Sequence, residues 1–316
     1  MRIEEARHRL ERDLDEYLAA LIQEKQYAPN TIAAYRNDLR QFLDYVAEVD
    51  GAPDGEWALL PDSRLTEYAQ RLTDARRRAP DGHERSAATS TVARKIAALK
   101  SFFRYLARRG KVVSDPAQAL DAPKVAKRRP RTLSSAEVER LLAAPGNANQ
   151  PKALRDRALL ELLYATGMRV SELVALNLAD VDEEGKQVVV RSDRGDKVRH
   201  IPVDDRALQA LQNYLKHGRP ALVKNATDHP ALFLNLRGRV LTRQGMWLII
   251  KEYAGQAGIP FDVTPHTLRH SFAAHMLETH KASLDEVRHF LGHASASTTQ
   301  IYSQRAAEQN PVPAEG

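Results

Sequence analysis

Residues 123–131 constrain the fold of this chain more than any other feature. Their sequence, PKVAKRRPR, holds five basic residues and two prolines and contains no acid. A segment of this composition is not expected to pack into a hydrophobic core, because it has too little apolar surface to offset the entropy lost on ordering. We therefore predict an extended basic linker between two domains, residues 1–122 and residues 132–316. A chain of 316 residues is long enough for both.

The domain before the linker is predicted to be all-helical. An apolar stripe at helical spacing is formed by Ile32, Tyr35, Leu39, Phe42 and Val46. Residues 76–92 contain proline, glycine, serine and threonine, which predicts a loop before the next helix. The first domain is therefore expected to consist of helices joined by loops.

The helix predicted next, over residues 92–111, carries seven basic residues and no acid. Its apolar side chains share one arc, and most of its basic side chains lie on the neighbouring and opposite arc. A solvated face is the usual interpretation of a charge run, but a face of one sign in a chain with many acids elsewhere favours contact with DNA phosphates. The candidate DNA-binding residues on this helix and in the linker are Lys95, Lys100, Arg104, Lys127, Arg128 and Arg129.

The second domain is predicted to be mixed. Residues 186–203 alternate or are β-branched on both sides of a turn that contains Gly195, which predicts a pair of strands. Gly167 ends an apolar helix over residues 158–165, so Arg169 is expected at a turn. The fold class that follows is mainly α with a small β-sheet, an all-helical domain followed by a mixed α+β domain.

A helix is predicted to begin at Thr264 and Pro265, which fit the N-cap and the first helical position. His266 and Arg269 then lie three residues apart near the N-terminus of that helix. Helix N-termini attract anions. This end of the helix is therefore a candidate phosphate site.

A further helix is predicted to begin at Ser283, because Ser283 and Glu286 have the spacing of a capping box. Gly292 is the expected stop of this helix. His293 would then lie just past a helix end, where a packed helix can hold it rigidly.

Two arginines, two histidines and a tyrosine can together attack a phosphodiester. The nonbridging oxygens are negative and gain charge as a fifth bond forms, and guanidinium groups bind them with a planar fork of donors at any working pH. Arg169 and Arg269 are the candidates for this role. Tyr302 is a candidate nucleophile, and His266 and His293 are candidates for moving its proton.

Each of these residues alone is more often a surface or core side chain than a functional one, so the prediction depends on their combination. His266, His270 and His275 also suggest a metal site. The chain has no cysteine, however, and no acid lies between these histidines as the H-E-x-x-H pattern requires. We expect no metal and no cofactor.

Three strings resemble the conserved boxes of the tyrosine recombinases: ATGMRVSEL from Ala165, HTLRHSFAAHML from His266 and LGHASASTTQIY from Leu291. They look most like the Xer branch, which resolves chromosome dimers in bacteria. Residues 28–42 and 98–110 are also similar to that branch's core-binding domain, so the likeness extends over nearly the whole chain. The resemblance implies a site-specific recombinase that acts on double-stranded DNA as a homo- or hetero-tetramer on paired sites, without metal or ATP.

The resemblance also implies a role for each candidate residue. Tyr302 would become joined to a DNA 3′ phosphate while Arg169 and Arg269 clamp that phosphate. His266 would transfer the proton, and His293 would donate to the phosphate and help to position the site. The bond energy kept in the phosphotyrosine would allow strands to be exchanged and rejoined.

Two features depart from the Xer pattern. The hairpin of that branch usually carries, just before its turn glycine, a lysine that protonates the leaving 5′ oxygen, and here this position is Arg194. Because a guanidinium does not usefully deprotonate, Lys197 is an alternative donor, although a solvated hairpin lysine is the more common case. Ser303 and Gln304 replace the usual threonine and histidine, and the tail after Tyr302 is short, so we expect a short or different contact with a neighbouring protomer.

Bulk properties agree with these expectations. The 47 basic and 41 acidic residues give a formal charge of +6, a mild excess, so DNA binding is argued from its distribution. The N-terminal sequence MRIEEARHRLERD lacks an apolar signal core, and no stretch approaches the roughly 20 apolar residues of a membrane span. Together with the lack of cysteine, this predicts a cytoplasmic protein with no membrane span.

Three alternatives stay open at this point. An integrase of a phage, plasmid or integron would share the same boxes. A DNA-binding factor with a dead active site is a second alternative, although the intact set of arginines, histidines and tyrosine argues against it. A topoisomerase with the same tyrosine chemistry is the third, and it would relax DNA without sequence preference.

Overall fold

The structure is a computed structural model that describes residues 2–50, 56–61, 63–74, 76–78, 84–86, 89–123, 131–146, 149–192, 198–223, 230–279 and 282–292. The chain divides into two compact units, Met1–Arg128 and Arg129–Gly316. Each unit has a hydrophobic core of its own.

The described part of the first unit is built mainly from helices. They are α1 Arg2–Gln23, α2 Pro29–Asp50, α3 Ser63–Asp74 and α4 Thr89–Arg108, with a short 3-10 turn at Trp57–Leu59. The loop predicted for residues 76–92 is wrong in part, because Arg76–Arg78 (β1) pairs antiparallel with Glu84–Ser86 (β2). Helix α4 also begins inside that range. Composition alone indicated a loop, since turn residues are also what a short hairpin contains.

Aromatic side chains fill the core of the first unit. Phe42 of α2 stacks on Trp57 with ring centroids 6.3 Å apart, and the edge of Phe102 meets Trp57 at 5.2 Å. The apolar stripe predicted along α2 is confirmed, because Leu39, Phe42 and Val46 are buried to 1% exposure or less. This core fixes which side of α4 faces inward.

The second unit combines helices with a small sheet. Its helices are α5 Ser135–Ala143, α6 Pro151–Thr166, α7 Val170–Ala175, α8 Asp205–Asn213, α9 Arg219–Leu222, α10 Arg243–Gln256, α11 Pro265–Glu278 and α12 Leu284–Leu291. A π-helical turn at Tyr214–Gly218 joins α8 to α9. The strands β3 Val181–Asp182, β4 Gln187–Arg191 and β5 Val198–Pro202 form an antiparallel sheet in that order. The predicted fold class is confirmed.

The sheet turns one face toward the core of the second unit. Val188 and Val190 of β4 are buried, and their partners across the ladder are Ile201 and Arg199 of β5. Side chains opposite each other in a sheet share a face. Arg199 therefore occupies an inward position that an apolar side chain normally fills, and only 7% of it is exposed.

Capping residues explain where several helices of the second unit begin. Ser134 and Glu137 form a capping box at the start of α5, and Ser283 and Glu286 form the predicted one at α12. Thr264 caps α11 by accepting from the backbone N–H of Thr267 at 3.1 Å. None of the helices in the described ranges combines the length and hydropathy that crossing a bilayer requires.

Candidate active site

Arg169 lies in the short connection between α6 and α7. Gly167 ends α6 in the left-handed conformation at φ 56°, and a Cβ at that position would collide with the ring of Phe272. Two residues later the backbone N–H of Arg169 donates to Glu172 Oε2 at 2.7 Å. The guanidinium of Arg169 donates from Nη1 to Glu172 Oε1 at 2.9 Å and from Nη2 to the carbonyl of Gly292 at 3.1 Å.

Arg269 reaches the same place from α11. Its side chain is buried, with 6% of the residue exposed. The guanidinium donates from Nη1 to the carbonyl of Gly167 at 2.7 Å and from Nη2 to the carbonyl of Leu291 at 2.5 Å. The two arginines therefore bind the carbonyls of two consecutive residues, Leu291 and Gly292.

These carbonyls form the C-terminus of α12. Gly292 ends this helix at φ 61°, as predicted from the sequence. The C-terminus of a helix carries partial negative charge and attracts cations, which explains why both guanidinium groups dock there. His293 follows directly in the chain and lies outside the described residues.

Two residues at this place were missed by sequence reasoning. The side chain of Glu172 is fully buried, and its Oε1 accepts a second hydrogen bond from Nη2 of Arg199 at 2.9 Å. We call Arg169, Glu172 and Arg199 the Glu172 triad. The sequence carried only a partial signal for Arg199, which lies in phase with Ile201; the structure shows that the alternate residues of this strand are buried.

The charges at this site do not cancel. Among the described residues, three guanidinium groups and one carboxylate meet at the end of α12, which leaves a net charge of +2. The bidentate donor geometry of arginine matches phosphate oxygens. A site of this composition can bind and stabilise a phosphate that gains charge in a reaction.

His266 and His270 lie one turn apart on α11. His266 is exposed at the second position of the helix, and its ring centroid lies 6.5 Å from that of His270. Burial, with smaller contributions from the neighbouring His266 and Arg269, lowers the pKa of His270 to about 4. His270 is therefore neutral near pH 7. Within the ranges that the structure covers, no group of three or more His, Asp or Glu side chains is placed to hold a metal ion.

One DNA-binding prediction in the first unit needs correction. Lys95 is 5% exposed, donates to Gln41 and lies 3.7 Å from Asp38, so its ammonium is held inside the unit. The physical reason is its position on the apolar arc of α4, four residues before Leu99. Arg94 also pairs with Asp38, and we call Asp38, Arg94 and Lys95 the Asp38 triad.

The other predicted DNA contacts have mixed placements. Arg104 is exposed on α4, and Lys100 is half-buried and donates to the carbonyl of Gln118 at 3.4 Å. The remaining predicted residues lie outside the described ranges, and these are Lys127, Arg128, Arg129, Arg194, Lys197, His293 and Tyr302. Of the linker, Arg131 is described, and its guanidinium lies 4.9 Å from the ring centroid of Phe261.

Comparison with known proteins gives matches over both units. Residues 131–309 match the phage integrase family, and residues 14–110 match the N-terminal SAM-like domain of phage integrases. Tyrosine recombinase XerC of Herpetosiphon aurantiacus is 45% identical over 294 residues, which cover 93% of this chain and 90% of that protein. Tyrosine recombinase XerD of Listeria monocytogenes is 40% identical over 290 residues, which cover 92% of this chain and 93% of that protein.

Solved structures of similar proteins share the fold. The crystal structure of XerA recombinase matches with a TM-score of 0.51 and 26% identity, covering 95% of this chain and 99% of that chain. The XerH recombinase bound to its difH substrate matches with a TM-score of 0.65 and 23% identity, covering 90% of this chain and 80% of that chain.

Proposed function

The chain belongs to the phage integrase family and is a Xer-type tyrosine recombinase, an enzyme that cuts and rejoins DNA, and we propose that Tyr302 is its nucleophile. In the forward step, a bond forms between the phenolic oxygen of Tyr302 and the scissile phosphorus. The bond from phosphorus to the 5′ oxygen breaks. Rejoining reverses the step, with a 5′ hydroxyl attacking the phosphotyrosine.

The observation that carries this proposal is the meeting of Arg169 and Arg269 at the C-terminus of α12. Their guanidinium groups bind the carbonyls of Gly292 and Leu291, immediately before His293 in the chain. A phosphate bound to these arginines would lie next to the segment that carries His293 and, nine residues further on, Tyr302. The excess positive charge stabilises the phosphate as it gains a bond.

Two protons must move in each cleavage step. His266, exposed at the N-terminus of α11, is proposed to accept the proton of Tyr302. His293 is proposed to donate a hydrogen bond to the phosphate. The leaving 5′ oxygen takes a proton from the β4–β5 hairpin, where Arg194 and Lys197 are the candidate residues. None of these steps, as proposed, uses a metal ion or another cofactor.

The first unit and the linker are proposed to bind the DNA backbone. Exposed Arg104 and half-buried Lys100 present the basic face of α4. Lys127, Arg128 and Arg129 are proposed to follow the phosphates between a helical domain of residues 1–122 and a catalytic domain of residues 132–316. Lys95 is left out because it is buried.

The finer proposal is that the enzyme resolves chromosome dimers in the cytoplasm, as a homo- or hetero-tetramer on two paired sites. It is supported by the identity of 40% or more with XerC and XerD proteins over more than nine-tenths of the chain. Such an enzyme converts a plasmid with two directly repeated target sites into two smaller circles. An integrase would instead join two different attachment sites, which the same assay with paired unlike sites detects.

The test is a covalent-adduct assay with a nicked suicide duplex that carries a target site. The wild-type protein is expected to form a protein–DNA adduct that survives denaturing electrophoresis, with EDTA present or absent. Tyr302→Phe should bind the duplex and form no adduct. Tyr164→Phe is the matched control, because Tyr164 hydrogen-bonds His275 at 2.8 Å in the same unit and has no proposed role in the chemistry. An adduct with Tyr302→Phe would overturn the assignment.

A further inference from the structure

We propose that Arg199 is a positioning residue of the cleavage reaction, because it neutralises Glu172 and so leaves the charge of Arg169 to the scissile phosphate. The inference rests on the proposed function. It concerns a residue that touches neither the phosphate nor the nucleophile in this account, and whose effect passes through Glu172 and Arg169.

Glu172 is hydrogen-bonded to both Arg169 and Arg199. Its side chain is fully buried, and Oε1 accepts from Arg169 and from Arg199 at the same distance of 2.9 Å. The side chain of Arg199 is 8% exposed, whereas that of Arg169 is 37% exposed. The buried cation therefore faces only the protein, and the half-exposed cation also faces solvent, where a substrate can approach.

The net charge of the Glu172 triad depends on Arg199. A carboxylate paired with Arg169 alone would form a neutral couple, and its negative charge would oppose a phosphate bound to Arg169. With Arg199 present, the triad has a net charge of +1. Because Glu172 and Arg199 are buried, their charges are weakly screened, so the difference acts on a phosphate that gains charge.

The structure around Arg199 leaves space for a guanidinium group. Arg199 lies on the inward face of β5, opposite Val190, in a position where an apolar side chain is normally found. A Cβ on Gly292 would collide with this guanidinium, so the glycine that ends α12 also makes room for Arg199. Its Nε is buried and has no acceptor among the residues that the structure describes.

Arg199 could instead serve only to pack β5 against the end of α12, and the test must separate the two roles. The first experiment compares Arg199→Met, Arg199→Lys and the double variant Arg199→Met with Glu172→Gln. Single-turnover cleavage of the suicide duplex is measured at saturating protein. Melting temperature and DNA affinity of each variant are measured alongside, so that loss of folding is recognised.

The expected order follows the charge of the triad. Arg199→Met should cleave about tenfold more slowly, less than the roughly 10²-fold cost of removing a donor that touches the reacting group. Arg199→Lys keeps the charge and should stay close to wild type. The double variant restores the net charge of +1 and should cleave faster than Arg199→Met. A double variant that is no faster, or Arg199→Lys as slow as Arg199→Met, would overturn the charge role.

The second experiment uses a duplex whose scissile phosphate is a methylphosphonate, which lacks one negative oxygen. This linkage needs less positive charge, so the defect of Arg199→Met relative to wild type should shrink to within about twofold. A purely structural role predicts the same defect on both linkages and would overturn the inference. If Arg199→Met does not fold, Arg199→Lys and Arg199→Gln are compared on the two linkages with the same criterion. Absence of cleavage by the wild-type protein would instead contradict the proposed function itself.

Discussion

The Asp38 triad of the first unit and the Glu172 triad of the second share one arrangement. In each, a buried carboxylate lies between a buried cation and a half-exposed arginine. The half-exposed side chains are similar, with 40% exposure for Arg94 and 37% for Arg169. The buried cations are Lys95 and Arg199.

The two triads differ in how closely the buried cation approaches the acid. Lys95 pairs with Asp38 at 3.7 Å and donates a hydrogen bond to Gln41, and Arg94 donates a hydrogen bond to the Asp38 carboxylate. Burial raises the pKa of Asp38, and the two cations only oppose this shift. In the second unit the buried cation binds the acid directly. Arg94 joins α4 to α2 through Asp38, whereas Arg169 shares Oε1 of Glu172 with a directly bonded Arg199 and is proposed to bind a phosphate.

Removal of the half-exposed arginine should have very different effects in the two triads. Arg169→Ala should slow cleavage of bound DNA roughly 10²- to 10³-fold, as expected for loss of a donor to the reacting group. Arg94→Ala should change cleavage less than about tenfold, because its charge serves Asp38. Single-turnover cleavage at saturating protein measures both.

The assay is run below the melting temperature of each variant, so that a loss of stability in the first unit is not mistaken for a loss of chemistry. Equal losses of cleavage in the two variants would show that Arg94 and Arg169 do not differ in their importance for the chemistry.

The next effect concerns the hairpin whose strand β5 carries Arg199. A general acid contributes roughly 10²- to 10⁴-fold when its pKa lies near the working pH, and a guanidinium is a poor proton donor. Arg194→Lys should therefore retain or raise cleavage, whereas Arg194→Ala should lower it. The measurement is cleavage of a suicide duplex of either linkage, normal or with sulfur in place of the leaving 5′ oxygen.

Sulfur leaves with little need for a proton, so the modified duplex should rescue the variant that lacks the true donor. Rescue of Lys197→Ala without rescue of Arg194→Ala would move the role to Lys197. No rescue of either variant would exclude this hairpin as the source of the acid.

A smaller effect is expected on the salt dependence of DNA binding. Each lost phosphate contact lowers the slope of log affinity against log salt by about 0.9. Arg104→Ala should lower the slope by one contact, and alanine at Lys127, Arg128 and Arg129 together should lower it further. Lys95→Met is the matched control and should leave the slope unchanged, because that ammonium is buried against Asp38. A slope that falls only with Lys95→Met would reverse the assignment.

The smallest expected effect is a pH dependence of stability at His270. The pKa of this residue is lowered to about 4, against about 6.5 in an unfolded chain. Between these values the unfolded state binds a proton that the folded state does not, so the stabilising contribution is complete above about pH 6.5 and is lost as the pH falls toward 4. His270→Asn should therefore flatten the acid loss of stability.

The free energy of unfolding is measured by urea titration across this pH range. Unfolding is monitored through the fluorescence of Trp247 in a Trp57→Phe background. Protonation of buried carboxylates also destabilises the protein in acid. The quantity compared is therefore the slope of the free energy of unfolding against pH, in His270→Asn and in the same background with His270 intact. Identical slopes would mean that His270 is protonated equally in both states.

The sequence was sufficient for those parts of the site that depend on local signals. Gly167, Thr264 and Gly292 fix helix ends, and these ends place Arg169 and Arg269. Arg199 was missed because a basic residue on a strand is expected to face solvent unless the register of that strand with its neighbour is known. The long-range pairing with Val190 supplies that register.

The errors in the first unit have two different causes. Lys95 was predicted to contact DNA from its charge, yet its position on the apolar arc of α4 was readable, and only the partners Asp38 and Gln41 were not. The β1–β2 pairing was missed because residues 76–92 carry turn chemistry without strand periodicity. Side chains that are held by distant partners cannot be placed from their own neighbours in sequence.

The arginine cluster at the end of α12 is proposed to serve a phosphotyrosine reaction at Tyr302. The most direct test is to digest the trapped adduct with protease and nuclease and to sequence the DNA-linked peptide by tandem mass spectrometry. We expect a peptide that contains Tyr302, joined through its phenolic oxygen to a DNA 3′ phosphate. A linkage to any other residue, or to a 5′ phosphate, would contradict it.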